Sequence, residues 1–152
     1  MVGFVLIVVL VVVAIMIFLI ISARKSNDVF ESENVGNMLS SIMSYTTECA
    51  IVTEPDYDSA EELIKSCYDN DRCSNLDEMA CDYLEELMGG VLEDIIKSEG
   101  NSCGYKFETY LEEGESILDI SSGNFSGNIL SASRILSWGG GKIFIKLRIC
   151  YE

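Results

Sequence analysis

No charged side chain occurs between Val2 and Ile21, and this run constrains the chain more than any other feature. It reads VGFVLIVVLVVVAIMIFLII. A helix rises about 1.5 Å per residue, so twenty residues reach about 30 Å, the thickness of a bilayer's hydrocarbon layer. A helix with no polar stripe needs an apolar surround over its whole circumference, from lipid or from similar helices. A cleavable secretory signal fits less well. It needs a basic start, a shorter apolar run and a small-residue cleavage site. Here the run ends in Ser22-Ala23-Arg24-Lys25, a membrane-boundary pattern.

All 25 Asp+Glu and all 10 Lys+Arg follow Met1–Ile21, and the chain's net charge is −15. The sequence therefore divides into an apolar helix over 1–25 and an acidic domain over 26–152. An acidic domain repels phosphate backbones, so nucleic acid is not an expected partner. There is no histidine, which excludes histidine-based triads, HExxH zinc sites and histidine pH switches. Orientation signals conflict. Arg24 and Lys25 favour a cytoplasmic C-terminal side, whereas six cysteines favour an oxidising compartment. Removal of a basic leader would resolve the conflict.

Periodicity predicts an α+β fold: a long N-terminal helix, apolar then amphipathic, then short helices, then a four-stranded antiparallel meander. Val35, Met38, Leu39, Ile42, Met43, Thr46, Cys49 and Ala50 recur at helical steps, predicting continuation of the first helix over 26–52. Pro55 ends that pattern. Residues 58–99 read as helical apart from a polar loop over 69–75, with Asp58 or Ser59 as N-cap. Leu76 to Ile96 forms a second apolar stripe, weakened midway by Gly89-Gly90. The period becomes two over 103–151, where Tyr105, Phe107, Thr109 and Leu111, and later Ile143, Ile145, Leu147 and Ile149, mark buried faces. Gly123-Asn-Phe-Ser-Gly-Asn128 carries dense turn chemistry.

Cys49, Cys67, Cys73, Cys81, Cys103 and Cys150 contain no CxxC pair, so redox and zinc-ribbon spacings are absent. Three disulfides are expected, with Cys67–Cys73, Cys103–Cys150 and Cys49–Cys81 the preferred pairing. The acidic clusters read as solvated surface. Asp69-Asn-Asp71 begins like a calcium loop, but Ser74 and Ala80 stand where the required Gly and Glu belong. A carboxylate pair for glycoside chemistry would need aromatic cleft walls, and the chain has one tryptophan, Trp138. The expectation is no catalytic site, no metal and no cofactor. Asn124-Phe-Ser126 is an N-glycosylation acceptor for an exported chain.

Gly3-Phe4, the unbroken apolar helix, its amphipathic continuation and the C-terminal antiparallel sheet together resemble type IV pilin-like proteins, most closely their archaeal branch. Val8 stands where bacterial pilins often carry Glu, which archaeal members often lack. The resemblance implies a basic leader cut after a glycine, membrane insertion before assembly, and a filament built through N-terminal helices. It makes Phe4, Leu6, Val8, Leu10, Val11, Ile15, Phe18 and Leu19 the expected filament-core residues, copies of the chain the expected partner, and the cell envelope or an extracellular filament the expected location. Polymerisation through such helices removes about 1,500 Å² per subunit from water, worth tens of kcal/mol gross at about 25 cal/mol per Å². The competing reading is a monomeric single-pass surface ectodomain acting in binding or adhesion.

Overall fold

The computed structural model describes residues 2–98 and 100–152, without the side chains of 2, 4–6 and 21–32. The chain is α+β. Helix α1 is Val2–Met43, α2 is Ala60–Tyr68 and α3 is Ala80–Ser98. Strands β1 (Arg72–Cys73) and β2 (Glu78–Met79) form a small ribbon between α2 and α3, β1 within the expected loop and β2 at the start of the stripe expected to be helical. Strands β3 (Ser102–Leu111), β4 (Ser116–Gly123), β5 (Asn128–Trp138) and β6 (Gly141–Tyr151) form one antiparallel sheet. The chain divides into two compact units, Met1–Asn34 and Val35–Glu152. Among the described residues, no helix is long and apolar enough to cross a membrane.

In the second unit the core joins Val35, Leu39, Ile42 and Met43 of α1 to Leu63 and Ile64 of α2, Leu84, Met88 and Leu92 of α3, and Phe107, Ile143, Ile145, Leu147 and Ile149 of the sheet. The expected alternation in β3 and β6 is therefore present. Helix α2 starts with a reciprocal cap. Ser59 Oγ accepts from the Glu62 N–H, and a Glu62 carboxylate oxygen accepts from the Ser59 N–H at 2.9 Å. Two otherwise orphaned donors are thereby satisfied. Helix α3 runs through Gly89-Gly90 without interruption.

Helix α1 stops at Met43, short of the expected 52. Near its end, the hydroxyls of Ser41 and Ser44 donate to the carbonyls of Asn37 and Ser40. Such back-bonding weakens a helix. Thr46 and Cys49 keep helical spacing in the sequence but belong to a loop. Thr46 bridges Ser59, and buried Thr47 donates from its N–H (2.9 Å) and its hydroxyl (2.8 Å) to the Asp58 carbonyl.

The sheet is not a meander. Its order is β4-β3-β6-β5, so two hairpins are joined through their outer partners, with the first and last strands paired at the centre. β3 and β6 bury every second residue along their length, whereas edge strands β4 and β5 are serine-rich and largely exposed. Residues 124–127 must therefore cross three strand spacings, about 14 Å. Five Cα steps extend to roughly 17 Å, so the segment read as a turn is a nearly taut strap over the ends of β3 and β6. Close approach there demands glycine. A Cβ on Gly127 would stand 2.1 Å from the Tyr151 carbonyl oxygen, and one on Gly104 would stand 2.6 Å from that of Ser122.

The disulfides are Cys49–Cys73, Cys67–Cys81 and Cys103–Cys150. The expected Cys103–Cys150 bridge is present, while Cys67–Cys73 and Cys49–Cys81 are replaced. The end of α2 meets the start of α3, bringing Cys67 and Cys81 to a Cα separation of 4.5 Å. The ribbon packs on the 44–59 loop instead of α2's end. Ser74 donates from its N–H and its hydroxyl to the Ala50 carbonyl, each at 2.7 Å, which sets Cys73 beside Cys49.

Candidate functional site

Of the expected filament-core residues, the side chains of Phe4 and Leu6 lie outside the described residues. Val8, Leu10, Val11, Ile15, Phe18 and Leu19 are all exposed, and the large apolar side chains over Ile7–Ile20 range from 45% to 69% exposed. That exposure runs over consecutive positions, so it extends around the helix. Isolated surface apolar residues are ordinary, but a contiguous apolar surface of this extent marks an interaction surface.

A second surface lies wholly within the Val35–Glu152 unit. Asn75 fastens the 44–59 loop to the ribbon: its Oδ1 accepts from the Ala50 N–H at 2.9 Å and its Nδ2 donates to the Glu48 carbonyl at 2.7 Å. Across from this junction, the Tyr83 hydroxyl of α3 accepts from the Glu48 N–H at 3.1 Å. Burial holds that phenol above its ordinary pKa. The result is an open groove of about 530 Å³ lined by Leu76, Tyr83, Leu87 and Val91 together with the carboxylates of Glu48, Glu78, Glu86 and Asp94. A hollow of about 400 Å³ adjoins it, sharing Glu48 and Leu76 and adding Tyr57. No lining residue is cationic. Its chemistry is that of a docking surface for something apolar and basic.

The outer face of the sheet has the opposite character. Lys142, Lys146 and Arg148 of β6 share it with Lys106 of β3, because Lys106 pairs with Arg148 and Glu108 with Lys146. Lys106 bridges Glu108 and Asp119, each at 3.0 Å, and Arg148 also bridges Glu108. Burial raises the Glu108 pKa, but those two cations outweigh it and leave its carboxyl below the usual range. Beside this network the Tyr110 and Phe144 rings stack 5.5 Å apart, and Ile135, paired with Phe144, is 56% exposed.

Among the described residues, no three His, Cys, Asp or Glu side chains cluster as a metal site. Asp69 of the calcium-like segment accepts from Trp138 Nε1 at 2.8 Å. Asn124 is exposed on the strap, and its backbone N–H donates to the Cys103 carbonyl at 2.9 Å. The groove was hidden in the sequence because its acids come from three segments. Leu76, assigned by spacing to a helical stripe, lies in the ribbon's turn and is 40% exposed. Comparison with family models, curated proteins and solved structures finds no match.

Proposed function

We propose that this protein is a non-enzymatic structural subunit of an extracellular pilus-like helical filament. In this reading α1 is a single functional element, apolar from Val2 to Ile21 and amphipathic beyond, and copies of the apolar part form the polymer core. The carrying observation is the uncovered apolar surface over Ile7–Ile20, 45–69% exposed at its large side chains. Water opposes leaving that surface open, and neighbouring copies supply a cover of matching chemistry. Membrane insertion precedes assembly, with the acidic domain outside the cytoplasm. Its three disulfides suit an oxidising compartment, and exposed Asn124 suits glycan attachment. The acidic surface limits side-by-side clumping of finished fibres. No cofactor takes part.

Electron microscopy of sheared cell-surface material tests this. Thin fibres labelled by antibody to the 35–152 domain are expected. A protein found only as a membrane-bound monomer would establish the anchored-ectodomain alternative instead.

A further inference from the structure

The chain's charge pairing leaves an uneven remainder. Among the described side chains, Lys65, Arg72, Lys97, Lys106, Arg134, Lys142 and Arg148 each bridge a carboxylate, and Lys146 is the one cation that does not. Glu48, Glu78, Glu86 and Asp94, the four groove carboxylates, have no ion-pair partner among the described side chains. The unpaired cation lies mid-sheet, next along the outer face from Phe144 and close to exposed Ile135. The four groove acids, like most of the described carboxylates, form no ion pair, and they surround an apolar groove. The two surfaces have complementary charge, each carries apolar side chains, and they are different surfaces of the same chain.

Gly90 adds an independent observation. It lines the groove, it is helical, and a Cβ added there would meet nothing within 4 Å. Glycine weakens a helix interior relative to alanine, and nothing in this chain's own packing requires it. Gly36 and Gly89 are equally open, but of the three Gly90 is the one that lines the groove, where the missing side chain leaves room for another surface to approach.

We infer that the groove receives the outer sheet face of a second copy, with Lys146 entering among Glu86 and its neighbouring acids and Ile135 meeting Leu87 and Val91. A second copy of this chain is the occupant that fits. Chains of charge −15 repel one another unless a cation-bearing face meets a region of unpaired acid. A contact between two different surfaces also propagates instead of closing, which a filament requires. The area can be modest, because the core helices already hold the subunits at high effective concentration. The inference rests on the filament reading and specifies the outer contact between its subunits.

The test uses full-length chains carrying Lys146→Glu, Glu86→Lys, both changes together, or Gly90→Ala, with fibre yield read by microscopy and the domain's Tm measured in parallel. Each single charge reversal is expected to cut fibre yield at least tenfold with the domain still folded, Lys146→Glu lowering Tm by at most a few degrees because it faces Glu108 across the strands, and the double reversal to restore the yield. Gly90→Ala is expected to raise Tm by a few degrees while lowering fibre yield. Wild-type fibres with undiminished yield in all variants overturn this contact and leave the filament reading standing. Loss in both singles without recovery in the double overturns the Glu86–Lys146 pairing. Absence of wild-type fibres overturns the filament reading and this contact with it.

Discussion

Gly123 sits so close to Cys103 that a Cβ added to it would stand 2.2 Å from the Cys103 carbonyl oxygen, and its φ of +87° is one that side-chain-bearing residues rarely adopt. Both restrictions apply where the strap leaves β4. Gly123→Ala is therefore expected to destabilise the domain by about 2–4 kcal/mol, through strain and displaced backbone. Urea unfolding of the disulfide-bonded domain measures it, and a loss below about 0.5 kcal/mol would contradict the close approach.

The positions of β3 to β6 were legible in the sequence, but their order was not, and neither were the ribbon strands β1 and β2. Alternation at Ile143, Ile145, Leu147 and Ile149 reports which side of a strand faces the core, but it carries no information about the neighbouring strand. The glycines of 123–128 then misled, because glycine serves both turns and close backbone contacts. Helix α1 was overextended for a related reason. Cys49 and Ala50 are buried by a loop, and buried loop residues can fall by chance at helical spacing. The apolar segment was fully legible, since twenty uncharged positions need no partner to be recognised. The groove was not, because proximity of Glu48, Glu78 and Glu86 exists only after the ribbon folds against the loop.

Thr109 is fully buried in β3, and its hydroxyl has no hydrogen-bond partner. An unpaired buried hydroxyl costs about 1–3 kcal/mol. Thr109→Val keeps the side chain's shape and removes that cost, so a stability gain of about 1 kcal/mol is expected, measured as a rise in urea midpoint at unchanged slope.

Burial raises the Asp58 pKa above its ordinary value. Glu62, Asp56 and Asp71 add to this, and the Ile51 N–H opposes it. A carboxyl whose folded pKa lies above its unfolded value holds its proton more tightly when folded. Its ionisation then costs stability as pH rises from 3.8 through the folded value. Asp58→Asn retains an acceptor for the Ile51 N–H and removes the charge. It is expected to raise Tm at pH 7, with the gain fading as pH falls below the unfolded pKa. A gain that grew towards acid would contradict this assignment.

Cys103–Cys150 closes the longest loop, a separation of 47 residues. Replacing both cysteines by serine is expected to cost about 4 kcal/mol on the chain-entropy scale. Calorimetry of oxidised wild type against the double variant reads it directly. Non-reducing peptide mapping of the wild type should recover the 49–73 and 67–81 pairs rather than 67–73 and 49–81.

A charge in the middle of the apolar segment tests assembly separately from folding. Val11→Asp places a carboxylate in an apolar surround at a cost of about 2.5–3.5 kcal/mol per subunit, and a polymer bears it at every copy. Fibres should disappear while the domain, whose compact unit begins at Val35, keeps its Tm and disulfides. Normal fibres from this variant would rule out a core built on these residues.

The bridges also determine how the acidic domain would respond to being stretched. Cys49 connects directly to Cys73, Cys67 to Cys81, and Cys103 to Cys150, so covalent shortcuts bypass most of the chain between α1 and the C-terminus. A pull applied between those ends can lengthen the ribbon, the stretch from Cys81 to Cys103, and the short pieces outside the bridges. The strap and the strands it joins lie inside the last closed loop and carry no tension, even after every hydrogen bond around them has broken. Oxidised, the domain can pay out only about a third of its contour length, whereas reduced it would pay out almost all of it.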